Sequence, residues 1–153
     1  MNYLIMPIGH VQGGRDAPVD DDWGPSRATI ELDPSRFTGD ALMGLDAFSH
    51  AEITFLFDRV TEDKIETGAR HPRGRTDWPM IGIFAQRGKN RPNRLGITVA
   101  RIVSIAGLSL ELEGLDAIDG TPVIDIKPVM SGFAPRGPFR EPDWSRELMD
   151  GYW

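Results

Sequence analysis

The side chains best suited to bind an anion lie in one stretch of the chain, residues 82–96. This stretch joins a short apolar run to a loop that Gly and Pro keep out of regular structure. Between Arg70 and Arg94 the chain has seven basic residues and one acid, Asp77, whereas the rest has ten basic and twenty-two acidic residues. Because like charges repel, a basic cluster in an acidic protein predicts a bound anion, and the alternative is a solvated Arg-rich loop.

Composition excludes several other kinds of chemistry. The chain has 153 residues and no cysteine, so disulfides, thiolate zinc sites and cysteine nucleophiles are excluded. Its three histidines, His10, His50 and His71, are too scattered to predict a metal site. His50 is a candidate base or a structural hydrogen-bonding group, and His71 is a candidate anion contact. No Gly-x-Gly-x-x-Gly or Walker pattern occurs, so a Rossmann nucleotide site is not supported.

Length and hydropathy predict one globular domain in the cytoplasm. An apolar content of 40% with 26% charged residues is ordinary for a chain that buries a core. The sequence contains no apolar run of about 18 residues, and its start lacks the pattern of a signal peptide. We therefore expect no membrane span. A net charge of −6 argues against sequence-independent coating of nucleic acid but permits a local basic groove.

Apolar and polar residues alternate in several short segments, which is typical of strands with one buried face. Strands of this kind are predicted over residues 27–32, 97–104, 108–112 and 123–126. Three further strands are predicted over residues 3–11, 80–86 and 51–60, the last with a continuous apolar run that indicates burial on both faces. These short spacings leave no room for crossover helices. The fold class is therefore all-β and mainly antiparallel, a small closed or partly closed β-barrel with one or two short helices.

Two short helices and a tail complete the predicted architecture. Residues 38–45 have apolar residues at helical spacing behind Thr38, a possible N-cap, and a second helix would begin at Asp143 as its cap. We assign residues 1–130 to the barrel domain. Residues 131–153 form a C-terminal tail ending in two aromatic residues, and such a terminus is expected to dock on the barrel or on a partner subunit.

One long loop, residues 15–25, contains an acidic run, two prolines and Trp23. A loop of this length in a compact domain is usually functional or mobile. Trp23 is accordingly either a lid over a ligand or a plug on the barrel surface.

Four sequence blocks carry a resemblance to a known family. The first two are Pro-Ile-Gly-His-Val at residues 7–11 and Gly-Leu-Asp-Ala-Phe-Ser-His at residues 44–50. The third combines Phe-Ala-Gln-Arg at residues 84–87 with Arg-Pro-Asn-Arg-Leu-Gly at residues 91–96, and the fourth is Gly-Leu-Asp-Ala-Ile-Asp-Gly-Thr-Pro-Val-Ile-Asp-Ile-Lys-Pro at residues 114–128. In this order they resemble the TsaA-like (TrmO, YaeB) family over residues 3–130.

The resemblance implies an S-adenosylmethionine-dependent methyltransferase. Its fold would be a small β-barrel, and it would act as a homodimer. The best-known members N-methylate threonylcarbamoyl-adenosine in tRNA, and longer members carry an extra C-terminal domain. Residues that align with cofactor contacts of the family are Asp22, Trp23, Arg59, Val60, Arg87, Ile97, Glu113, Gly114, Leu115 and Asp116. No catalytic base and no metal ligand are identified.

Roles for the candidate residues follow from their chemistry. Arg87 stays protonated and is suited to pair with the methionine carboxylate of the cofactor. Asp116 could face the sulfonium or the amino group, and the alternative for Asp116 and Asp119 is turn capping around Gly120. The candidate binding residues for an anionic acceptor such as RNA phosphate are Lys89, Asn90, Arg91, Asn93 and Arg94.

Three functions stay open on this basis. The first is a tRNA methyltransferase, the second is a methyltransferase for a small anionic molecule, and the third is a non-catalytic module that binds S-adenosylmethionine or RNA. Formation of S-adenosylhomocysteine with any acceptor separates the enzymes from the binding module.

Overall fold

Short alternating segments form eight strands in the computed structural model, which describes residues 1–153. The strands are β1 (Gly9–Gln12), β2 (Arg27–Leu32), β3 (His50–Leu56), β4 (Ala69–Arg70), β5 (Ile81–Gly82), β6 (Leu95–Ala106), β7 (Ser109–Glu113) and β8 (Pro122–Pro128). Six of them close into a barrel in the order β1-β2-β7-β6-β3-β8, and β8 pairs back onto β1. All neighbouring pairs are antiparallel. The prediction of an all-β antiparallel barrel is confirmed.

Strand β3 shows how the barrel core is built. Ala51, Ile53 and Phe55 point inward and are buried, whereas Glu52 and Thr54 between them are half-buried on the outside. The expectation that this segment is buried on both faces is wrong, because a closed barrel has a single interior and its strands alternate between inside and outside. The inward residues of β2 and β7 complete the same apolar cluster.

The predicted opening strand over residues 3–11 is also wrong in its first half. Residues 1–6 are exposed and pair with no strand, and β1 begins at Gly9, opposite Leu32. Pro7 has no N–H to donate to a ladder, so pairing starts after it. At Gly9 the backbones come so close that an added Cβ would lie 2.2 Å from the Glu31 carbonyl oxygen, which leaves room for glycine alone.

The predicted strand over residues 80–86 is limited to β5, which is followed by a 3₁₀ turn at Ile83–Ala85. Gln86 explains the turn, since its buried side-chain amide donates to the carbonyls of Arg70 at 3.0 Å and Ile81 at 2.9 Å. A continuing strand would point this amide away from both acceptors. Phe84, expected to be part of the apolar strand, is 78% exposed.

The helix expected over residues 38–45 is instead two 3₁₀ turns, Gly39–Leu42 and Leu45–Ala47. Gly44 separates them with a φ of 84°, a left-handed conformation that ends helical structure, and Thr38 makes no side-chain cap. Further 3₁₀ turns lie at Glu62–Lys64, Pro72–Gly74 and Ser131–Phe133. The helix α1 spans Asp143–Met149, and its N-cap is Pro142 where Asp143 had been expected.

Residues 57–94 leave the barrel between β3 and β6, and we call them the excursion. The chain leaves and returns at adjacent positions, because Leu56 pairs with Leu95 and the Phe57 N–H donates to the Arg94 carbonyl at 2.8 Å. Strands β4 and β5 form a small two-stranded sheet within it. The excursion contains every basic residue of the cluster between Arg70 and Arg94. None of the helices in this chain has the length and hydropathy needed to cross a bilayer.

Candidate cofactor and anion site

The basic residues of the excursion differ in whether a carboxylate neutralises them. Arg73 pairs with Asp21 at 3.0 Å, and Arg75 pairs with Asp77. The other five form no ion pair: Arg70, Arg87, Lys89, Arg91 and Arg94. Unpaired positive charge in one loop produces a positive potential that attracts anions.

Arg87 connects the excursion to the start of β6. Its Nη2 donates to the Ile97 carbonyl oxygen at 2.6 Å, and its side chain lies at the surface. The structure thus brings together two residues that the sequence assigned to the cofactor. One hydrogen bond occupies one of five guanidinium donors, so the remaining donors can bind a carboxylate.

Arg91 and Arg94 hold the shape of residues 87–94, which we call the basic loop. Arg94 Nη1 donates to the Val60 carbonyl at 2.7 Å, and Arg91 Nη1 donates to the Gln86 carbonyl at 2.9 Å. Arg94 also has a φ of 53°, a left-handed conformation that is uncommon without glycine. Strained residues of this kind are concentrated at functional sites, where surrounding contacts fix them. Both arginines retain unused donors, but their mobility is limited by these contacts.

Asp116 joins the barrel to the C-terminal tail. The Thr98 hydroxyl, on the inner side of β6, donates to one carboxylate oxygen, and the Tyr152 hydroxyl donates to the other. Burial of the Tyr152 phenol, together with the negative charge of Asp116, raises the pKa of Tyr152 well above its ordinary value. Tyr152 therefore remains a protonated hydrogen-bond donor at neutral pH.

The tail also pairs with the long loop before β2. The backbone N–H groups of Asp22 and Trp23 donate to the carbonyls of Gly151 and Tyr152 at 3.0 and 2.8 Å. Asp22 has a φ of 65°, which places it with Arg94 among the strained positions. The tail thus connects this loop to Asp116.

Two further contacts fix the tail in place. Gly24 packs directly on the end of the chain, where an added Cβ would lie 2.7 Å from the carbonyl carbon of Trp153. The Trp78 indole N–H donates to the Glu147 carboxylate at 2.7 Å. Residues 143–153 therefore contact the long loop, the excursion and the segment after β7.

Trp23 is buried, with 3% of its surface exposed. Its indole N–H donates to the Val19 carbonyl at 3.1 Å, and the Arg15 guanidinium stacks on the ring at 4.5 Å. The indole therefore packs within its own loop, under Arg15. Any contact of this residue with a cofactor requires its backbone or a rearrangement of Arg15.

In the segment after β7, peptide groups are more available to a ligand than side chains are. The Glu113 carboxylate pairs with Arg27 at 2.9 Å and with Arg101 at 3.0 Å, and their hydrogen bonds lower the pKa of Glu113. Gly114 has a φ of 81°, and the Leu115 side chain is buried in the core. Contact with a ligand from Gly114 or Leu115 would come from their peptide groups.

Arg59 and Val60 lie at the start of the excursion. Arg59 Nη1 donates to the Asp16 carbonyl at 3.3 Å, while the Val60 side chain is buried and its carbonyl is bound by Arg94. No contact connects Arg59 to Arg87 or to Asp116. Arg87 and Asp116 are hydrogen-bonded to consecutive residues of β6, Ile97 and Thr98, whereas Arg59 is hydrogen-bonded to the loop before β2.

Two of the three histidines, His50 and His71, make hydrogen bonds within the protein. His71 Nδ1 lies 2.8 Å from the Trp78 carbonyl, which can only accept, so this nitrogen carries the proton. His50 Nδ1 lies 2.7 Å from the Ser49 hydroxyl. No group of three or more His, Asp or Glu side chains could hold a metal ion.

Sequence reasoning did not identify Thr98, Tyr152 or Arg70. Thr98 is polar at an inward-facing position of β6, and such a residue needs a buried hydrogen-bond partner. Tyr152 belongs to the aromatic C-terminus, which indicated docking but gave no partner. Arg70 was counted in the basic cluster without a role of its own, and its environment is visible only in three dimensions.

The comparisons with known proteins agree with this architecture. Residues 12–134 match the family model of the tRNA-methyltransferase O N-terminal domain. A Pseudomonas aeruginosa protein, RcsF, is 41% identical over 133 residues, which cover 84% of this chain and 55% of that protein. The mouse tRNA (adenine(37)-N6)-methyltransferase is 33% identical over 139 residues, which cover 86% of this chain and 32% of the mouse protein.

A solved structure shares the fold. The crystal structure of TrmO from Pseudomonas aeruginosa superposes with a TM-score of 0.73 at 29% identity, over 92% of this chain and 62% of that one. This chain therefore spans about a third to three fifths of the relatives that it matches. The family resemblance carried by the four sequence blocks is confirmed, and the barrel with its excursion belongs to the tRNA-methyltransferase O N-terminal domain family.

Proposed function

We propose that this protein is a cytoplasmic S-adenosylmethionine-dependent methyltransferase that N-methylates a modified adenosine of tRNA, of the threonylcarbamoyl-adenosine type. The observation that carries the proposal is the set of five unpaired basic residues on the excursion, within a segment that matches the family. The mouse relative is named a tRNA (adenine(37)-N6)-methyltransferase, and its similarity to this chain supports the same substrate class.

The side chains present fit the chemical groups of the cofactor. Arg87 is an exposed, unpaired guanidinium that matches a carboxylate, and Asp116 is a carboxylate that matches amino or hydroxyl groups. Peptide groups of Ile97, Gly114 and Leu115 would contact the adenosine portion, as in pockets that combine apolar walls with a few polar groups. S-adenosylmethionine supplies a methyl group already activated by the sulfonium.

Because the methyl group is activated, the main contribution of the protein is positioning. Correct orientation of reactants can be worth roughly 7–11 kcal/mol of the barrier. Arg87 would fix one end of the cofactor, while Lys89 and the basic loop would fix the phosphates of the acceptor. The Asp116 carboxylate, held by Thr98 and Tyr152, is kept in one orientation.

The decisive experiment measures methyl transfer and cofactor affinity in the same variant. We expect the protein to bind S-adenosylmethionine and to form N6-methylated nucleoside in tRNA, detected by mass spectrometry. Replacing Arg87 with alanine should weaken the cofactor at least tenfold, because a charge-assisted hydrogen bond contributes about 1.5–3 kcal/mol. Calorimetry gives the affinity, and Arg136→Ala, at an exposed arginine without an ion pair, is the matched control.

The alternatives give different results in this experiment. Cofactor binding without S-adenosylhomocysteine formation would favour the non-catalytic module, which stays open because no general base is identified. Turnover with a small anion but not with tRNA would favour the small-molecule methyltransferase. Unchanged affinity in Arg87→Ala would remove this residue from the site.

The proposal includes a homodimer with the cofactor site near the subunit boundary. Ile97 and Val99 point outward from β6 and are 45% and 47% exposed, and together they form a short apolar strip on the barrel surface. An apolar strip on a barrel surface supports self-association. It begins at Ile97, whose carbonyl binds Arg87.

We expect sedimentation at micromolar concentration to give twice the 17.0 kDa chain mass, and Val99→Asp to shift the protein toward monomer. The aspartate would place a charge in the desolvated strip. Thr54→Asp, on the neighbouring strand β3, would test whether the effect extends across the sheet. A parent protein that sediments as a monomer with cofactor present would contradict the dimer.

A further inference from the structure

Arg70 is the most unusual of the unpaired basic residues. Its Nε is buried and has no hydrogen-bond partner among the groups of the protein. A buried donor left unpaired is unfavourable, and more so when the group is charged. Arg70 also forms no ion pair with a carboxylate. An anionic ligand on the guanidinium would compensate a charged group in this state.

The position of Arg70 is fixed by the small sheet of the excursion. In β4 it pairs with Ile81 of β5, and its carbonyl accepts the Gln86 side-chain amide at 3.0 Å. Its guanidinium reaches the first glycine of the basic loop, because an added Cβ on Gly88 would lie 2.8 Å from Arg70 Nη2. The backbone of Arg70 is therefore anchored while its charge faces the loop.

A second guanidinium reaches the same glycine. Arg91 Nη1 donates to the Gln86 carbonyl at 2.9 Å and lies 3.5 Å from the Gly88 carbonyl. Two guanidinium groups thus approach Gly88, and neither has a carboxylate partner. Two guanidinium groups beside one glycine, without a carboxylate partner, produce a local positive potential that favours a bound anion.

The nearby acid does not neutralise this pair. Glu66 lies along the same loop, since its backbone N–H donates to the Asn90 carbonyl at 3.0 Å. Its carboxylate turns back to the N–H of Gly68 at 2.6 Å and forms no ion pair. The positive charge around Gly88 therefore stays available to a ligand.

We infer that Arg70 and Arg91, converging on Gly88, form a binding site for a phosphate group, and that a phosphodiester of the RNA acceptor occupies it. The planar guanidinium fork matches the geometry of phosphate oxygens, and paired arginines are suited to this ligand. The assignment to RNA rests on the proposed function, whereas the affinity for phosphate does not.

The site can be tested without removing any charge. Gly88→Ala places a methyl group against Arg70 Nη2 and should displace the guanidinium, because the far end of a flexible side chain moves more easily than backbone. Gly88 has no positive φ, so alanine is compatible with its backbone. Gly82→Ala is the matched control, since Gly82 lies in the same excursion with open space around its Cβ position and a φ of −60°.

The first measurement uses inorganic phosphate at constant ionic strength. Phosphate should raise the melting temperature of the parent and of Gly82→Ala, because a ligand that binds the folded state stabilises it. The rise should be lost in Gly88→Ala and in Arg70→Gln, and retained in Arg140→Gln, which removes the same charge from an exposed arginine without an ion pair. Equal phosphate effects in Gly88→Ala and Gly82→Ala, or none in the parent, would overturn the site.

The second measurement identifies the source of the phosphate. Binding of a tRNA transcript should show a salt slope smaller by roughly one unit in Gly88→Ala and Arg70→Gln than in the controls. An unchanged slope together with a lost phosphate effect would overturn the assignment to RNA. If the parent stabilises with phosphate but transfers no methyl group to tRNA, the proposed function would be contradicted and the phosphate site would remain supported. Circular dichroism confirms folding, and Gly88→Ala carries the test if Arg70→Gln does not fold.

Discussion

Replacing Asp116 with alanine is expected to lower the free energy of unfolding by about 2–4 kcal/mol. The change removes two hydrogen bonds to a charged acceptor, each worth about 1.5–3 kcal/mol before allowance for partial exposure. It also leaves the Thr98 and Tyr152 hydroxyls without their partner inside the protein. Urea unfolding followed by circular dichroism measures the loss.

Asp119→Ala is the matched control for this substitution. Asp119 belongs to the same sequence block, but its carboxylate accepts one hydrogen bond, from the exposed Gly13 N–H at 2.8 Å. Its removal should cost about 1 kcal/mol or less. Equal losses from both substitutions would show that Asp116 is an ordinary turn residue and that its contact with the tail adds nothing.

Alkaline pH gives a second readout of the same contact. Burial and Asp116 raise the pKa of Tyr152, so the folded state retains a proton that the unfolded state releases near the usual tyrosine pKa of about 10. The stability linked to this proton is complete below about pH 10 and is lost as the pH rises above it. Tyr152→Phe should remove this loss, and an identical alkaline profile in the two proteins would contradict the coupling.

Replacing Phe55 with alanine should cost about 3–5 kcal/mol, the range observed for truncating a buried phenylalanine. Phe55 is 2% exposed, and its ring meets Phe57 edge to face with centroids 5.2 Å apart. It also lies under Gly96, where an added Cβ would be 2.6 Å from the ring. The cavity would therefore open at the point where the excursion leaves and rejoins the barrel.

Phe84→Ala is the control for this prediction, because Phe84 is 78% exposed on the excursion. Its truncation should change stability by no more than about 0.5 kcal/mol. A domain of this size is stable by roughly 5–15 kcal/mol, so Phe55→Ala would remove a large share of that margin. A urea midpoint for Phe55→Ala close to that of Phe84→Ala would contradict the assigned core.

The sequence predicted the barrel because strands with one buried face produce a local signal. Residues 108–112 alternate leucine with polar residues, and the expected hairpin with β6 is present. The same reasoning predicted too long a strand at residues 80–86, because the apolar run continues past Gly82 although the chain turns there. The turn depends on Gln86 contacting Arg70, which lies 16 residues earlier, and no local pattern reports such a contact.

The candidate site was less predictable than the fold for the same reason. The basic cluster could be counted from the sequence, but the pairing of Arg73 depends on Asp21, which is 52 residues away. The contact of Asp116 with Tyr152 joins positions 36 residues apart. Residue types predicted which side chains could bind a ligand, and only the structure assigns their partners.

The excursion begins and ends on one paired position of the barrel, Leu56 opposite Leu95. A segment whose ends are already held together can change length at a small entropic cost, since the entropic cost of closing a loop grows only with the logarithm of its length. Mutation can therefore lengthen, shorten or replace this segment while the six strands keep their pairing. In evolutionary terms, if the excursion selects the acceptor as proposed, that choice and the stability of the scaffold can diverge independently, and one barrel can serve descendants with different substrates.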